Sequence, residues 1–300
     1  MITTNAWILT ASILTIVVAF DFTWAVIRRN QNTSLKEATL WSLLYISLAI
    51  AFGINLGTWT DSQTQQEFFA GWLTEYSLSF DNLFVFVIIL SRLKIEEKSK
   101  QLALLFGILI ALVFRIIAIT LGAAAIKQFE WIFFIFGAFL IYTAVHLFLE
   151  SSHEKDEEEK ESKLISYLSA KGVKPFTIAL IALGATDILF ALDSIPAIFG
   201  LTENVYVVVT ANVFALMGLR QLYFLIGGLM QRLIYIGKGL SVILGFIGVK
   251  LLFHASHAVD IHKIGGFKIP DITITQSLSV IVGVLTIATF SSLYVTSKRK

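Results

Sequence analysis

Apolar runs of about 20 residues, the length that crosses a bilayer as a helix, recur along the whole of this 300-residue chain. No other feature restricts the fold so tightly, because a backbone surrounded by lipid must satisfy its hydrogen bonds internally. The runs are 7–27, 38–59, 68–90, 101–122, 131–149, 176–200, 204–227, 239–256 and 278–296, the eighth being the shortest. Charged residues make up 15% of the chain, against about 25% in a typical soluble domain. The expected fold is an all-α polytopic membrane protein with about nine transmembrane helices.

Basic residues give these spans an orientation. With the amino terminus outside, 17 of the 23 Lys and Arg fall on the cytoplasmic side. Only Lys127, Lys263 and Lys268 fall on the other, and Arg115, Arg220 and Lys250 lie inside spans. Such an imbalance is the positive-inside pattern, and losing one span would scramble it. The expected location is the bacterial inner (plasma) membrane, with the carboxyl terminus cytoplasmic. Residues 1–6 carry no Lys or Arg, so the first run is read as a retained span, not a cleaved leader. The chain has no cysteine, which excludes disulfides, thiolate metal sites and thiol redox chemistry.

Three regions follow. Residues 1–149 form a first membrane half of five spans, 150–175 an acidic cytoplasmic linker, and 176–300 a second half of four spans. The linker carries Glu150, Glu154, Asp156, Glu157, Glu158, Glu159 and Glu161. A block of like charge reads first as a solvated, flexible connection; a metal-sensing role is the alternative.

The two halves share a pattern. Thr74-Glu75, five residues, then Asp81-Asn82-Leu83 in the third span matches Thr186-Asp187, five residues, then Asp193-Ser194-Ile195 in the sixth. Arg115 in the fourth span has a counterpart in Arg220 of the seventh, and Gly137 with His146 in the fifth matches Gly245 with His254 in the eighth. The third and sixth spans run in opposite directions, so the expected architecture is a pair of inverted three-helix repeats, 68–149 and 176–256. Transporters built this way place the substrate near the midplane, where the repeats meet.

Ionised side chains inside a bilayer are costly and therefore point to function. The acids within spans are Asp21, Glu75, Asp81, Asp187 and Asp193. Six residues along an ideal helix turn through about 600°, which leaves the two acids of each motif roughly 120° apart. Either they serve different positions along a path, or the helix unwinds between them. Pro196 favours unwinding in the sixth span, because it frees the carbonyl of Leu192. The candidate metal ligands are Glu75, Asp81, Asn82, Asp187, Asp193 and Ser194, an all-oxygen set suited to hard divalent cations such as Mn²⁺, Mg²⁺ or Ca²⁺. Interhelical hydrogen bonding that only fixes packing is the structural alternative.

Secondary candidates surround this set. Asp21 either pairs with Arg28 or takes part in transport. Arg115, Arg220 and Lys250 are read as counter-ions to the buried acids, with snorkelling to an interface as the alternative. His254, His257, Asp260 and His262 cluster at the outer end of the eighth span, with His254 and His257 on one helical face. An interfacial cluster is the first reading there and metal capture the second.

The stretches Glu75-Tyr76-Ser77-Leu78-Ser79-Phe80-Asp81-Asn82-Leu83, Thr186-Asp187-Ile188-Leu189-Phe190-Ala191-Leu192-Asp193-Ser194-Ile195-Pro196-Ala197 and Phe246-Ile247-Gly248-Val249-Lys250 resemble the TerC/Alx family of bacterial membrane proteins. That resemblance implies a multi-span exporter of the LysE-type group, tied to manganese efflux, alkaline-pH response and tellurite resistance. It places the family's acidic motif at Glu75, Asp81, Asp187 and Asp193, flanked by Asn82 and Ser194. The glutamate-rich linker departs from the longer, more basic segment of the family. Carboxylate-lined spans repel an oxyanion, so a cation is the expected substrate.

The expected function is a secondary transporter that exports a divalent cation, Mn²⁺ foremost, against protons. The alternative is a membrane scaffold that aids metal loading or maturation of exported proteins without moving an ion. No catalytic role, resident cofactor or nucleic-acid partner is expected. The chain has neither a P-loop for ATP nor the Gly-x-Gly-Asp motif of one intramembrane protease class. The expected partners are the transported cation, protons and the bilayer.

Overall fold

The computed structural model of the chain describes residues 2–27, 34–129, 131–149, 163–229, 233–259, 261–264 and 267–298; at 81, 84, 97, 98, 226–229, 264 and 267 it describes the backbone alone. The linker acids, Arg28 and Asp260 lie outside these residues.

The chain is a helical membrane protein, and nine helical segments among the described residues are long and apolar enough to span. They comprise α1 (Thr4–Ile27), α2 (Leu35–Trp59), α3 (Ser62–Arg92), α4 (Glu97–Gln128), α5 (Ile132–Leu149), α7 (Pro175–Phe199), the pair α8 (Val205–Leu216) and α9 (Leu219–Leu229), α10 (Ile236–Ala258) and α11 (Ile274–Lys298). A short helix, α6 (163–170), precedes α7. Between α10 and α11 lies a small antiparallel hairpin of β1 (Lys263–Ile264) and β2 (Phe267–Lys268).

Local chemistry starts several of these helices where polar loops meet the membrane. Ser34 accepts the amide hydrogen of Glu37 at the head of α2, and Asp61 accepts that of Thr64 at 2.7 Å at the head of α3. Asn204 caps α8 through the amide of Tyr206. Each cap satisfies one of the four amides that a helix start leaves without an intrahelical partner.

Burial sorts the helices into a centre and a rim. α1 and α11 turn Leu9, Ile16, Ile287 and Phe290 outward, where lipid solvates them. α8 is buried almost along its whole length. It packs against α3 and α4, while α7 packs against the same two helices. The Phe52, Phe68 and Phe214 rings, with centroids 4.7 to 5.9 Å apart, join α2, α3 and α8. α5 lies along α10 at a crossing made close by two glycines. A Cβ at Gly137 would stand 2.9 Å from the Gly248 carbonyl oxygen, and one at Gly248 would stand 2.9 Å from that of Gly137. Small residues at such crossings let helices approach where lipid offers no hydrophobic drive to association.

One expectation about helix continuity is corrected. α7 runs through Pro196 to Phe199 without unwinding. Pro196 lies in the last turn, so its missing N–H affects a single carbonyl, that of Leu192, before the helix ends anyway. The break comes instead in the seventh span, between α8 and α9. Met217 is extended and Gly218 takes φ +84°, a left-handed conformation that costs glycine little. The backbone there also lies against the Tyr45 ring, 3.0 Å from where a Cβ would be.

Candidate functional site

α3, α4, α7 and α8 meet in the interior, and each brings one polar side chain to the meeting point. Glu75, Arg115, Asp187 and Asn212 all stand within a turn of the midpoint of their spans. Arg115 is 1% exposed and Glu75 is fully buried. The Arg115 guanidinium donates from Nη1 to Glu75 Oε2 and, at 3.0 Å, to Asn212 Oδ1. Its Nη2 stands 3.6 Å from Asp187 Oδ1. Asn212 is itself oriented by donating from Nδ2 to the Val208 carbonyl at 3.1 Å.

Two carboxylates therefore share one guanidinium, and several of their atoms hold back from protein bonds. Glu75 Oε1, Asp187 Oδ2, Arg115 Nε and the nearby hydroxyls of Thr74 and Ser79 on α3 are buried without a hydrogen-bond partner among the described residues. Buried polar groups in folded proteins are nearly always satisfied, so such a concentration marks a place with capacity for further polar ligands. Oxygens predominate, a donor set that fits a hard divalent cation. No three His, Asp or Glu side chains among the described residues come together as a ready-made chelate. Arg115 stands where a cation between Glu75 and Asp187 would stand.

The remaining motif residues are spread as helical geometry requires. Asp193, about 120° round α7 from Asp187, turns to α5 and accepts a hydrogen bond from Thr143 at 3.2 Å. Ser194 returns to the face of Asp187 two turns on and is buried. Asn82 is buried in α3. Asp81 follows Glu75 by six residues in the same continuous helix, and its side chain lies outside the described part.

A second cluster lies nearer the other end of α1. Asp21 Oδ1 accepts from Arg220 Nη2 and Tyr45 Oη, both at 2.8 Å, and from Gln221 Nε2 at 3.2 Å. Arg220 is thus a counter-ion to Asp21, just as Arg115 is to Glu75 and Asp187. Arg220 and Gln221 belong to the first turn of α9, immediately beyond the break at Gly218.

Lys250 belongs elsewhere, in a polar vestibule of about 530 Å³ lined also by Asp61, Thr64, Glu67, Thr202, Glu203 and His254. Thr202 donates to Glu67 at 2.5 Å, and His254 Nε2 approaches Glu203 at 3.2 Å. That contact holds the Glu203 carboxyl below its ordinary range. The amide and hydroxyl of Thr64 do the same for Asp61. Lys250 has Glu67 and Asp271 as its acidic neighbours, not the midplane pair. The outer histidines separate: His254 sets its ring edge-on to Phe133, whereas His257 packs on His262 with centroids 5.4 Å apart.

Asn212, Tyr45 and Gln221 complete these two clusters and were not singled out from the sequence. The signal was available for the two amides, since an Asn or Gln in an apolar span also needs a partner. Tyr45, which reads as packing, gave no such signal.

Comparison with known proteins agrees with this architecture. The family model described as Integral membrane protein TerC family matches residues 60–300. An uncharacterized membrane protein of Mycobacterium tuberculosis is 41% identical over 96% of this chain and 79% of its own length. An uncharacterized membrane protein of Myxococcus xanthus is 37% identical over 89% of this chain and 85% of its own. The Escherichia coli protein named "Putative membrane-bound redox modulator Alx" is 33% identical over 92% of this chain and 90% of its own. No solved structure matches the chain.

Proposed function

The chain belongs to the TerC family of integral membrane proteins, and from that premise we propose that it is a secondary transporter exporting a divalent cation, Mn²⁺ foremost, in exchange for protons. It does so in the bacterial inner membrane with the amino terminus outside, the orientation that the basic residues favour.

The observation that carries this reading is the midplane cluster of Glu75, Asp187 and Arg115. Two ionised carboxylates facing one guanidinium leave one surplus negative charge, which is costly in a medium of low dielectric. Two arrangements remove that surplus. In one, a divalent cation takes the place of the guanidinium and balances both carboxylates. In the other, Arg115 returns and one carboxylate takes up a proton. Alternation between them moves a dication one way and a proton the other, with the carboxylate pair neutralised in both arrangements and the Arg115 charge turned aside while the metal is bound. Arg115, always charged, then acts as a tethered counter-ion that fills the site between ion visits. Asp193 and Asp81, each about 9 Å along its helix from the first acid, serve as further positions on the path.

Helix packing supports a pair of inverted repeats around this site. If α3 corresponds to α7 and α4 to α8, the packing of α3 on α8 is the mirror of that of α4 on α7, and both occur. The name of the Escherichia coli relative speaks of redox modulation, but a chain without cysteine offers no thiol couple for it.

Purified protein in proteoliposomes tests the reading. Mn²⁺, Ca²⁺, Mg²⁺ and Zn²⁺ fluxes are compared while internal pH is followed. Wild-type vesicles should carry Mn²⁺ with opposite proton movement, and Asp187→Asn should abolish both. Vesicles that move none of the four metals would overturn the proposal and favour a non-transporting scaffold.

A further inference from the structure

Resting on that transport reading, we propose that Asp21 is a second cation station on the cytoplasmic side, latched shut in this structure by Arg220. Four observations meet at this pair. The span that carries Arg220 is broken immediately before it, so α9 is a separate half-helix joined to α8 only through Met217 and Gly218. Three donors from two elements, Arg220 and Gln221 of α9 and Tyr45 of α2, converge on a single oxygen, Asp21 Oδ1. Gln221 is 3% exposed, and its Oε1 is buried without a hydrogen-bond partner among the described residues. That carbonyl oxygen, the Asp21 carboxylate and the Tyr45 hydroxyl form an all-oxygen set for a hard divalent cation.

The pair also divides two spaces. On one side is a recess lined by Glu37 at the start of α2, Gln101 near the start of α4, Trp24, Arg220 and Gln221. On the other is a mostly apolar cavity that reaches from Asp21 and Tyr45 to Leu112 and Val213. Val213 adjoins Asn212, and Leu112 lies three residues before Arg115, so this cavity ends beneath the midplane cluster. Arg220 lines both spaces and forms the partition between them. A cation entering through the recess competes with the guanidinium for Asp21. Once Arg220 is displaced, α9 loses its charged tie to α1, and Gln221 turns its carbonyl oxygen to the ion. The space vacated by the guanidinium, with the flexible joint at Gly218 giving the half-helix room to shift, joins the recess to the inner cavity. Latch and midplane site then share one logic, a tethered arginine that gives way to a mobile dication.

Because the chain has no cysteine, one introduced thiol reports accessibility without background. Val213→Cys is placed alone in inside-out vesicles and exposed to a small, membrane-impermeant cationic thiosulfonate. With Asp21 and Arg220 intact, labelling should be slow and should quicken when MnCl₂ is added. Asp21→Asn or Arg220→Gln should raise the metal-free rate by about tenfold or more and abolish the Mn²⁺ effect, because the closed population no longer dominates. Tyr45→Phe, which keeps the ion pair and removes one donor, should raise it less and keep the response. Wild-type labelling rates in the folded charge variants would overturn the latch; should those variants fail to fold, an unchanged rate in Tyr45→Phe would do the same. The same vesicles are assayed for Mn²⁺ flux. Labelling as expected without flux in the intact protein would retain the latch and remove the transport reading.

Discussion

Exchange of Arg115 for Gln and of Glu75 for Gln should have opposite consequences, although the two side chains share one ion pair. Arg115→Gln leaves Glu75 and Asp187 facing each other with no positive charge among their bonded neighbours. Two carboxylates about 6 Å apart repel by about 3 kcal/mol at an effective dielectric near 20. Removing one partner of a buried pair costs about 3–5 kcal/mol in measured cases. Glu75→Gln instead leaves one carboxylate, Asp187, for one guanidinium, and their 3.6 Å separation can shorten. It loses a hydrogen bond of about 0.5–1.5 kcal/mol but holds the site in the neutral arrangement in which one carboxylate carries a proton, so the net change should stay within about 1 kcal/mol. The assay is unfolding of purified protein in mixed micelles, followed by the fluorescence of the six tryptophans. Arg115→Gln should be severely destabilised, and adding Glu75→Gln should recover only the repulsion of about 3 kcal/mol, because Asp187 is still left without its counter-ion. Equal destabilisation by the two single changes would refute the charge argument, because it would mean that geometry alone, not net charge, sets the cost.

Two further changes test local features. Asp61→Ala should lower stability by about 1 kcal/mol through loss of the α3 cap, and Asp61→Asn should restore most of it, as measured by thermal unfolding in micelles. The bonds to Thr64 depress the Asp61 carboxyl, so the cap contribution is complete above the ordinary aspartate value of about 3.9 and is lost as pH falls through the lower folded value; acid unfolding of Asp61→Asn should lack this component. Gly218→Ala places a Cβ at φ +84° and 3.0 Å from the Tyr45 ring, which should cost about 1–3 kcal/mol in the same thermal unfolding assay.

The spans were legible because their cause is local: twenty apolar residues in lipid have one way to satisfy their amides. The six-residue spacing of Glu75 to Asp81 and of Asp187 to Asp193 likewise carried real geometry. An intact helix turns the paired acids apart, and Asp187 and Asp193 do face different neighbours, Arg115 on α4 and Thr143 on α5. The sequence left two outcomes open at this point, and the proline pointed to the wrong one. Pro196 breaks little because it falls where α7 is ending. The lesson concerns position along a helix: a proline removes one bond wherever it sits, but in the last turn its kink redirects almost no helix, whereas at the midpoint it redirects half of it.

Partner choice was the part that letters alone could not supply. Asp21 pairs with Arg220, 199 residues away, because tertiary packing brings α9 against α1; Arg28 lies outside the described residues. The sequence aligns Arg115 with Arg220, but the two arginines differ in the acids they meet. Arg115 serves two motif carboxylates contributed by α3 and α7, whereas Arg220 serves one acid from α1, a helix outside both expected repeats. Here one arginine faces two carboxylates at the midplane and the other faces one beside a broken helix. Under the proposed transport, the station at Asp21, with one carboxylate, holds a dication more weakly than the central pair, so an ion would pass from it to the central site without being trapped on the way.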